Sequence, residues 1–196
     1  STWVIYRLIL AKMRCASNSP LLVLVLTRAD AGALPLDFKP VDLAELARQR
    51  CERLAPLAVK NKVTLRVEET EVAETITVRA DADRLAQVLD NLLDNAMRYS
   101  PKGGEVTIAI RRRGEKALIS IIDQGLGIPP EHLPHIFERF YRVEPSRDRR
   151  SGGSGLGLAI ARALLTAQGG DIQVKSEPGR GTEMTFQLPL SELPSN

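Results

Sequence analysis

The chain has 196 residues, is 43% apolar and 4% aromatic, and carries a formal net charge of +3. This length and apolar content provide for one domain with an aliphatic core and a short extra element. Dispersed basic residues without interleaved aromatics, and two isolated cysteines, argue against a nucleic-acid-binding surface, a disulfide framework and a zinc site.

Residues 1–34 are predicted to form an N-terminal helical segment. Apolar residues at helical spacing run from Trp3 to Met13, and a second apolar stretch from Leu21 to Ala33 has Gly32 just past its expected helix end. The apolar run at 21–26 is far shorter than the ~20 residues that span a bilayer. No signal-peptide cleavage site follows. We therefore expect the chain as given to be soluble, although a longer parent can carry a membrane tether.

Residues 35–190 are predicted to form the main domain, followed by a tail at 191–196. Pro35 and Pro40 bracket residues 36–39, which we interpret as an edge strand. The periodicity predicts helices at 43–61, 83–99 and 155–168, and strands at 63–68, 76–81, 105–112, 117–123, 172–176 and 182–188. This order predicts an α+β fold, a two-layer sandwich in which a mixed, mostly antiparallel sheet carries helices on one face.

The predicted helix at 83–99 contains two asparagines one turn apart, Asn91 and Asn95. Asparagine is a modest helix former because its amide competes for local backbone groups. The helix alone leaves two interpretations open. The amides are either solvated on the polar face or they are neutral oxygen ligands aimed at a metal or a phosphate.

Three glycine-containing sequences are candidates for binding. Asp123 ends a predicted strand before two glycines, and its carboxylate can accept a hydrogen bond from an exocyclic amine or simply belong to a turn. Residues 152–157 open a predicted helix, where exposed N–H groups favour an anion. Residues 179–182 are consistent with an ordinary hairpin turn. The arginines of the loop at 139–153 can likewise be solvated or lie near a phosphate.

The order and spacing of these motifs together resemble the ATP-binding catalytic domain of sensor histidine kinases. The wider superfamily includes DNA gyrase, the heat-shock chaperone ATPases and the mismatch-repair ATPases. The resemblance covers about Leu36 to Leu190 and rests on the motifs at 91–101, 123–128, 136–141 and 153–160. It implies a Bergerat-type ATP-binding fold with ATP and Mg²⁺ as cofactors.

The resemblance also implies roles for individual residues. Asn95 would hold Mg²⁺ with Asn91 beside it, Asp123 would read the adenine amine, and Thr182 would support this contact through water. The remaining implied nucleotide contacts are Arg98 at phosphate, Tyr99 near the base, Gly125, Gly127 and Ile128 in the adenine loop, Phe137 and Phe140 anchoring a lid, and Gly153, Gly155, Leu156 and Gly157 at the phosphates.

Asn91 distinguishes between members of the superfamily, because the hydrolytic ones carry a glutamate base at the matching place. An amide cannot accept a proton at neutral pH, so Asn91 favours phosphoryl transfer to a protein over hydrolysis. Asn91, Asn95 and Arg98 are therefore the expected catalytic residues of a protein-histidine kinase.

The resemblance further implies partners that this chain does not contain. Sensor kinases phosphorylate a histidine on a dimerisation hairpin and pass the group to a response regulator; the parent would be a homodimer whose cytoplasmic domain is anchored to the bacterial inner membrane. His132 and His135 are the chain's only histidines and look like surface or packing residues, so we expect a fragment without its acceptor. A serine protein kinase of the anti-sigma type and a non-catalytic ATP-sensing module are the alternatives.

Overall fold

The computed structural model describes residues 19–68, 75–143 and 154–191. The predicted stripe at Trp3–Met13, the tail from residue 192, Gly153 and most of the arginine-rich loop lie outside these ranges. The elements are α1 (Ser19–Asp30), β1 (Lys39–Asp42), α2 (Leu43–Asn61), β2 (Thr64–Glu68), β3 (Thr77–Ala80), α3 (Ala82–Tyr99), β4 (Glu105–Arg113), β5 (Lys116–Asp123), a 3₁₀ turn (Pro130–His132), α4 (Gly157–Ala167), β6 (Asp171–Glu177) and β7 (Gly181–Pro189).

The main sheet has five strands in the order β2-β4-β5-β7-β6. Only the pair β2 and β4 is parallel, and the other pairs are antiparallel. A second sheet of two antiparallel strands joins β1 to β3. The predicted α+β class with a mixed, mostly antiparallel sheet is therefore confirmed.

The helices cover one face of the main sheet because its strands alternate. On β4 and β5 the positions buried in the common core are Val106, Ile108, Ile110, Ala117, Ile119 and Ile121. The predicted apolar stripe of α3 is buried against them, at Leu85, Val88, Leu89, Leu92, Leu93, Ala96 and Met97. Period 3.6 in the helix and period 2 in the strands thus create one aliphatic core between the two layers.

Two of the three helices described in the main domain, α2 and α3, begin at an aspartate. Asp42 is the N-cap of α2, and its side chain accepts hydrogen bonds from the backbone N–H groups of Ala44 and Glu45. Asp81 is the N-cap of α3 and also accepts from the backbone N–H of Asp37 at 3.0 Å. Its own N–H donates to Gln168 Oε1 at 2.8 Å, so the start of α3 is tied to the end of α4.

The predicted edge strand at residues 36–39 is wrong. The strand is shifted to Lys39–Asp42 and includes Pro40, because its register is set by pairing with β3 and not by the flanking prolines. It belongs to the small sheet, where Pro40 occupies a two-stranded ladder that tolerates a missing N–H.

The N-terminal helix α1 packs on the main domain. Val25 and Leu26 are buried in the common core, and Arg139 forms an ion pair with Asp30. Gly32 follows the helix with a φ of +63°, as its predicted position requires. Among the described residues, no helix has the length and apolar character needed to cross a membrane.

Candidate functional site

Three polar side chains form a row across one end of the main sheet. Asp123 on β5 pairs with Thr182 on β7, and Thr182 pairs with Ser176 on β6. Directly paired residues project from the same face of a sheet. Because Ile121 and Met184 lie two residues from Asp123 and Thr182 and are buried, the row extends the helix-covered face. The core therefore ends in a polar edge here.

The carboxylate of Asp123 is held by backbone donors. Its Oδ1 accepts from the N–H of Gly125 at 2.8 Å and from the N–H of Thr182 at 3.2 Å. Among the described residues no hydrogen bond reaches Oδ2. Partial burial raises the pKa of Asp123 above its ordinary value, and the two N–H bonds only partly oppose this rise. The site thus presents one fixed carboxylate oxygen that can accept a donor.

The raised pKa of Asp123 predicts how nucleotide binding depends on pH. An amine of the ligand needs the ionised carboxylate, so affinity for ATP should fall as pH falls through this pKa, beginning at a higher pH than an ordinary aspartate would give. Binding should be measured by calorimetry across acidic pH for the wild type and for Asp123→Asn. The variant should bind more weakly and without that titration, and an identical pH profile in both would contradict the role of Asp123.

The loop after Asp123 passes very close to neighbouring backbone. A Cβ on Gly125 would lie 2.7 Å from the carbonyl oxygen of Tyr99, at the end of α3. Gly127 has a φ of +71°, and a Cβ there would lie 2.0 Å from the carbonyl oxygen of Glu177. Glycine is required at Gly127 both by conformation and by space. The loop is therefore fitted between α3 and the β6–β7 turn, with Ile128 at its end.

The predicted metal-binding helix contacts the glycine-rich start of α4. Asn91 lies beside Gly157, where a Cβ would be 3.7 Å from Asn91 Oδ1. Among the described residues, Asn91 Nδ2 is buried and has no hydrogen-bond partner. An unsatisfied buried amide costs free energy, so this position calls for a ligand. Asn95 lies one turn later on the same helix.

The end of α3 supplies the two other predicted contacts. Arg98 forms an ion pair with Asp94 one turn earlier, with 2.7 Å between Nη2 and Oδ2. The side chain of Tyr99 is 57% exposed next to the loop that begins at Asp123. Both residues therefore stand at the rim of the site.

Phe137 and Phe140 precede the loop that leads into α4. Each of them contacts a residue that follows this loop. Phe137 is buried, and the Arg162 guanidinium lies 5.6 Å from its ring centroid. The N–H of Phe140 donates to the carbonyl of Gly155 at 2.8 Å. Gly155 has a φ of +70° and packs against the Phe140 backbone, so α4 begins two residues later than predicted, at Gly157. Leu156 is fully buried.

The two histidines have local partners. His132 Nδ1 lies 2.7 Å from the hydroxyl of Tyr141, and His135 Nδ1 lies 2.7 Å from Glu138 Oε1. The ring centroids of His135 and Tyr141 are 5.5 Å apart. These contacts are those of packing residues.

The donor set fits a hard cation held mainly by ligand oxygens. No group of three or more His, Cys, Asp or Glu in the described parts of the chain can hold a metal ion. The amides of Asn91 and Asn95 are neutral oxygen donors of the kind Mg²⁺ accepts beside phosphate and water. Because Asn91 Nδ2 has no hydrogen-bond partner in the described part of the chain, rotation of this amide can also present its oxygen.

Sequence reasoning missed Ser176. Its Oγ lies 2.8 Å from the N–H of Ile128, 2.8 Å from the carbonyl of Gly181 and 2.9 Å from Thr182 Oγ1. A serine near the end of a predicted strand carries no signal by itself. Only the register of β6 against β7 places it in the row with Asp123.

The comparisons with known proteins agree with this geometry. Residues 80–192 match the family described as histidine kinase-, DNA gyrase B- and HSP90-like ATPases. The sensor histidine kinase YkoH of Bacillus subtilis is 40% identical over 166 residues, which are 85% of this chain and 35% of YkoH. The sensor histidine kinase WalK of the same organism is 50% identical over 117 residues, 59% of this chain and 19% of WalK.

Solved structures show the same fold. Full-length ShkA in complex with AMPPNP superposes with a TM-score of 0.76 at 31% identity, covering 89% of this chain and 35% of ShkA. The mycobacterial sensor histidine kinase MprB superposes with a TM-score of 0.68 at 31% identity, covering 80% of this chain and 100% of the MprB chain. The chain therefore belongs to the histidine kinase-, DNA gyrase B- and HSP90-like ATPase family, as a domain of the sensor histidine kinase type. It spans about a third of the length of YkoH.

Proposed function

We propose that this chain binds ATP with Mg²⁺ and transfers the γ-phosphoryl group to a histidine on a separate dimerisation hairpin. One observation carries the proposal: helix α3 contacts both ends of the site. Its last residue, Tyr99, meets the loop of Asp123 through Gly125, and its middle, at Asn91, meets the start of α4 at Gly157. A nucleotide lying along α3 would have its base at the first contact and its phosphates at the second.

At the base end, the ionised carboxylate of Asp123 accepts a hydrogen bond from the adenine amine, with Thr182 supporting it through water. Gly125, Gly127 and Ile128 form the adjacent loop, and the exposed ring of Tyr99 offers a surface against the base. The two backbone donors to Oδ1 keep the carboxylate in place before the ligand arrives. Binding then costs little side-chain conformational entropy at Asp123.

At the phosphate end, Asn95 would hold Mg²⁺ with Asn91 beside it, and Arg98 would reach the phosphates. Bound there, Mg²⁺ would neutralise phosphate charge and orient the γ-phosphoryl group. The backbone N–H groups of Gly155 and Gly157 would contact the phosphates at the start of α4. Leu156 lies between them, and its N–H donates to Ser154 Oγ at 3.3 Å. Gly153, whose position lies outside the described residues, is assigned to the same loop by its sequence.

Asn91 supports transfer over hydrolysis. The bond between the γ-phosphorus and its bridging oxygen breaks, a phosphorus–nitrogen bond to the acceptor imidazole forms, and ADP leaves. The imidazole nitrogen attacks with its own lone pair, so no base for water is needed. An amide at Asn91 cannot supply that base, and this argues against an ATPase.

The acceptor and later partners belong to the rest of the pathway. His132 and His135 each have a neighbour within the packed segment before α4, so we propose that this chain does not phosphorylate itself. Residues 1–34 represent a remnant or replacement of the hairpin, residues 35–190 the catalytic domain and residues 191–196 a tail. The parent protein is proposed to be a membrane-anchored homodimer with this domain in the cytoplasm, acting on a response regulator.

Transfer can be tested with γ-labelled Mg·ATP. The chain alone should acquire no label, whereas an added histidine hairpin domain should be labelled, and the label should be lost in acid because phosphohistidine is acid-labile. Acid-stable label on a protein serine would indicate the serine kinase. Binding of ATP without transfer to any of a panel of hairpins would indicate an ATP sensor, and label on the isolated chain would contradict the missing acceptor.

A further inference from the structure

The hydroxyl of Ser176 has all its hydrogen-bonding capacity used. A serine hydroxyl has one hydrogen to donate and two lone pairs to accept with. The carbonyl of Gly181, at 2.8 Å, can only accept, so it takes the hydrogen. The N–H of Ile128, also at 2.8 Å, can only donate, so it takes one lone pair. The remaining contact is with Thr182 Oγ1 at 2.9 Å.

This assignment fixes the direction of the Thr182 hydroxyl. Because Ser176 has no second hydrogen, Thr182 must be the donor in their contact. The single hydroxyl hydrogen of Thr182 then points along the sheet towards β6, and only its lone pairs remain for other partners. Thr182 is buried, and its backbone N–H is already bound to Asp123.

The row therefore presents only acceptors to a ligand. Asp123 is an acceptor when ionised, and both N–H donors around its Oδ1 are used. Thr182 adds a second acceptor beside it. A base edge with an amino group can satisfy such a pair directly, or through a water that gives its two hydrogens to the two acceptors and turns its oxygen to the base. In both cases a base carbonyl would meet acceptors only.

We propose that Ser176 is a positioning residue that makes the base site acceptor-only and so favours purines with a 6-amino group over 6-carbonyl purines. The inference rests on the proposed ATP site. Ser176 does not touch the nucleotide in this scheme; it acts through the hydrogen of Thr182. It also holds the loop of Asp123 through Ile128, an effect that applies equally to any nucleotide.

The experiment separates these two effects by measuring Kd for Mg·ATP and Mg·ITP. The base of ITP has a carbonyl in place of the 6-amino group and a hydrogen on N1, and the hydrogen on N1 is the same difference for the wild type and every variant. Wild-type protein should prefer ATP. In Ser176→Ala the freed hydrogen of Thr182 can turn towards the ligand and donate to the carbonyl of ITP. The Kd for Mg·ITP divided by the Kd for Mg·ATP should then fall by about three- to tenfold, the range expected for one neutral hydrogen bond. A loosened loop alone would weaken both nucleotides and leave the ratio unchanged.

Two variants serve as controls. Ser176→Thr keeps the hydroxyl and should keep the wild-type ratio. Ser120→Ala removes a hydroxyl from the opposite face of the same sheet, where Ser120 Oγ lies 2.6 Å from Thr185 Oγ1, and should also keep it. Ser176→Cys, with a thiol that is a weak donor and acceptor, should lower the ratio as Ser176→Ala does.

The outcomes are distinguishable. A wild type that binds neither nucleotide would refute the proposed function. A wild type that prefers ATP, with an unchanged ratio in folded Ser176→Ala or Ser176→Cys, would refute only the role of Ser176. Should neither variant fold, NMR of the Thr182 hydroxyl proton in the wild type decides: proximity to the Ser176 methylene supports the proposal, and proximity to the bound base overturns it.

Discussion

Substituting Asn95 by alanine is expected to abolish the Mg²⁺-dependent part of ATP binding and with it phosphoryl transfer. Asn95 lies one turn from Asn91, whose buried Nδ2 has no hydrogen-bond partner among the described residues. Loss of a residue that merely supports a metal ligand costs about 10–100-fold in affinity or activity, so loss of a ligand should cost about 100-fold or more. Affinity should be measured with Mg²⁺ and with a chelator.

Gln87→Ala is the matched control, since it removes an amide from the same helix two turns before Asn95. Gln87 contacts Arg84 at 3.4 Å and has no role in the proposed site. The control should retain Mg²⁺-dependent affinity, and thermal unfolding should show that both variants fold. An Asn95→Ala protein whose ATP affinity still responds to Mg²⁺ like the wild type would refute the metal role.

Gly181→Ala is expected to be much more harmful than Gly179→Ala, although both glycines lie in one turn. Their φ values are +85° and +79°, so alanine should cost each about 1–2 kcal/mol through backbone conformation. At Gly179 nothing lies within 4 Å of the added Cβ, whereas at Gly181 it would lie 2.0 Å from the carbonyl oxygen of Asp123. That collision must displace β5 or β7.

The displacement should add about 1–3 kcal/mol to the loss of stability, as overpacking does. Because it separates Asp123 from Thr182, it should also weaken ATP binding, while Gly179→Ala should bind normally. Urea unfolding and calorimetry of the two variants measure both effects. Equal stability and equal ATP affinity in Gly181→Ala and Gly179→Ala would show that the turn accommodates the methyl group at position 181. That result would contradict the close contact between Gly181 and the Asp123 carbonyl.

The sequence predicted the elements whose pattern is local. The helix α3 and the strands β4 and β5 were predicted from the spacing of residues a few positions apart, and all three are present. The strand at residues 36–39 was misplaced because its position depends on pairing with β3, about forty residues away. A proline shows where a strand ladder lacks one N–H donor, but it does not determine which residues pair.

In the described part of the chain, contacts join some of the predicted site residues, such as Asn91 with Gly157 and Tyr99 with Gly125, and their roles remain predictions. The resemblance implies that Thr182 acts together with Asp123, and the register of β5 against β7 makes the two residues neighbours. Two features depend on contacts between distant residues and had no signal in the chain. These are the hydroxyl of Ser176, which is joined to Ile128 across 48 positions, and the ion pair of Arg139 with Asp30 across 109.

The bond from Phe140 N–H to the Gly155 carbonyl has a consequence for how this domain can diversify. The bond joins the two ends of the stretch between Phe140 and Gly155. The loop that it closes forms a ring, and the same bond can close this ring at other loop lengths. The entropic cost of closing such a ring grows only logarithmically, by about 0.6 kcal/mol for each doubling of length. Insertions or deletions in the ring are therefore inexpensive for the fold, and evolution or design can vary it while the sheet and α3 stay unchanged.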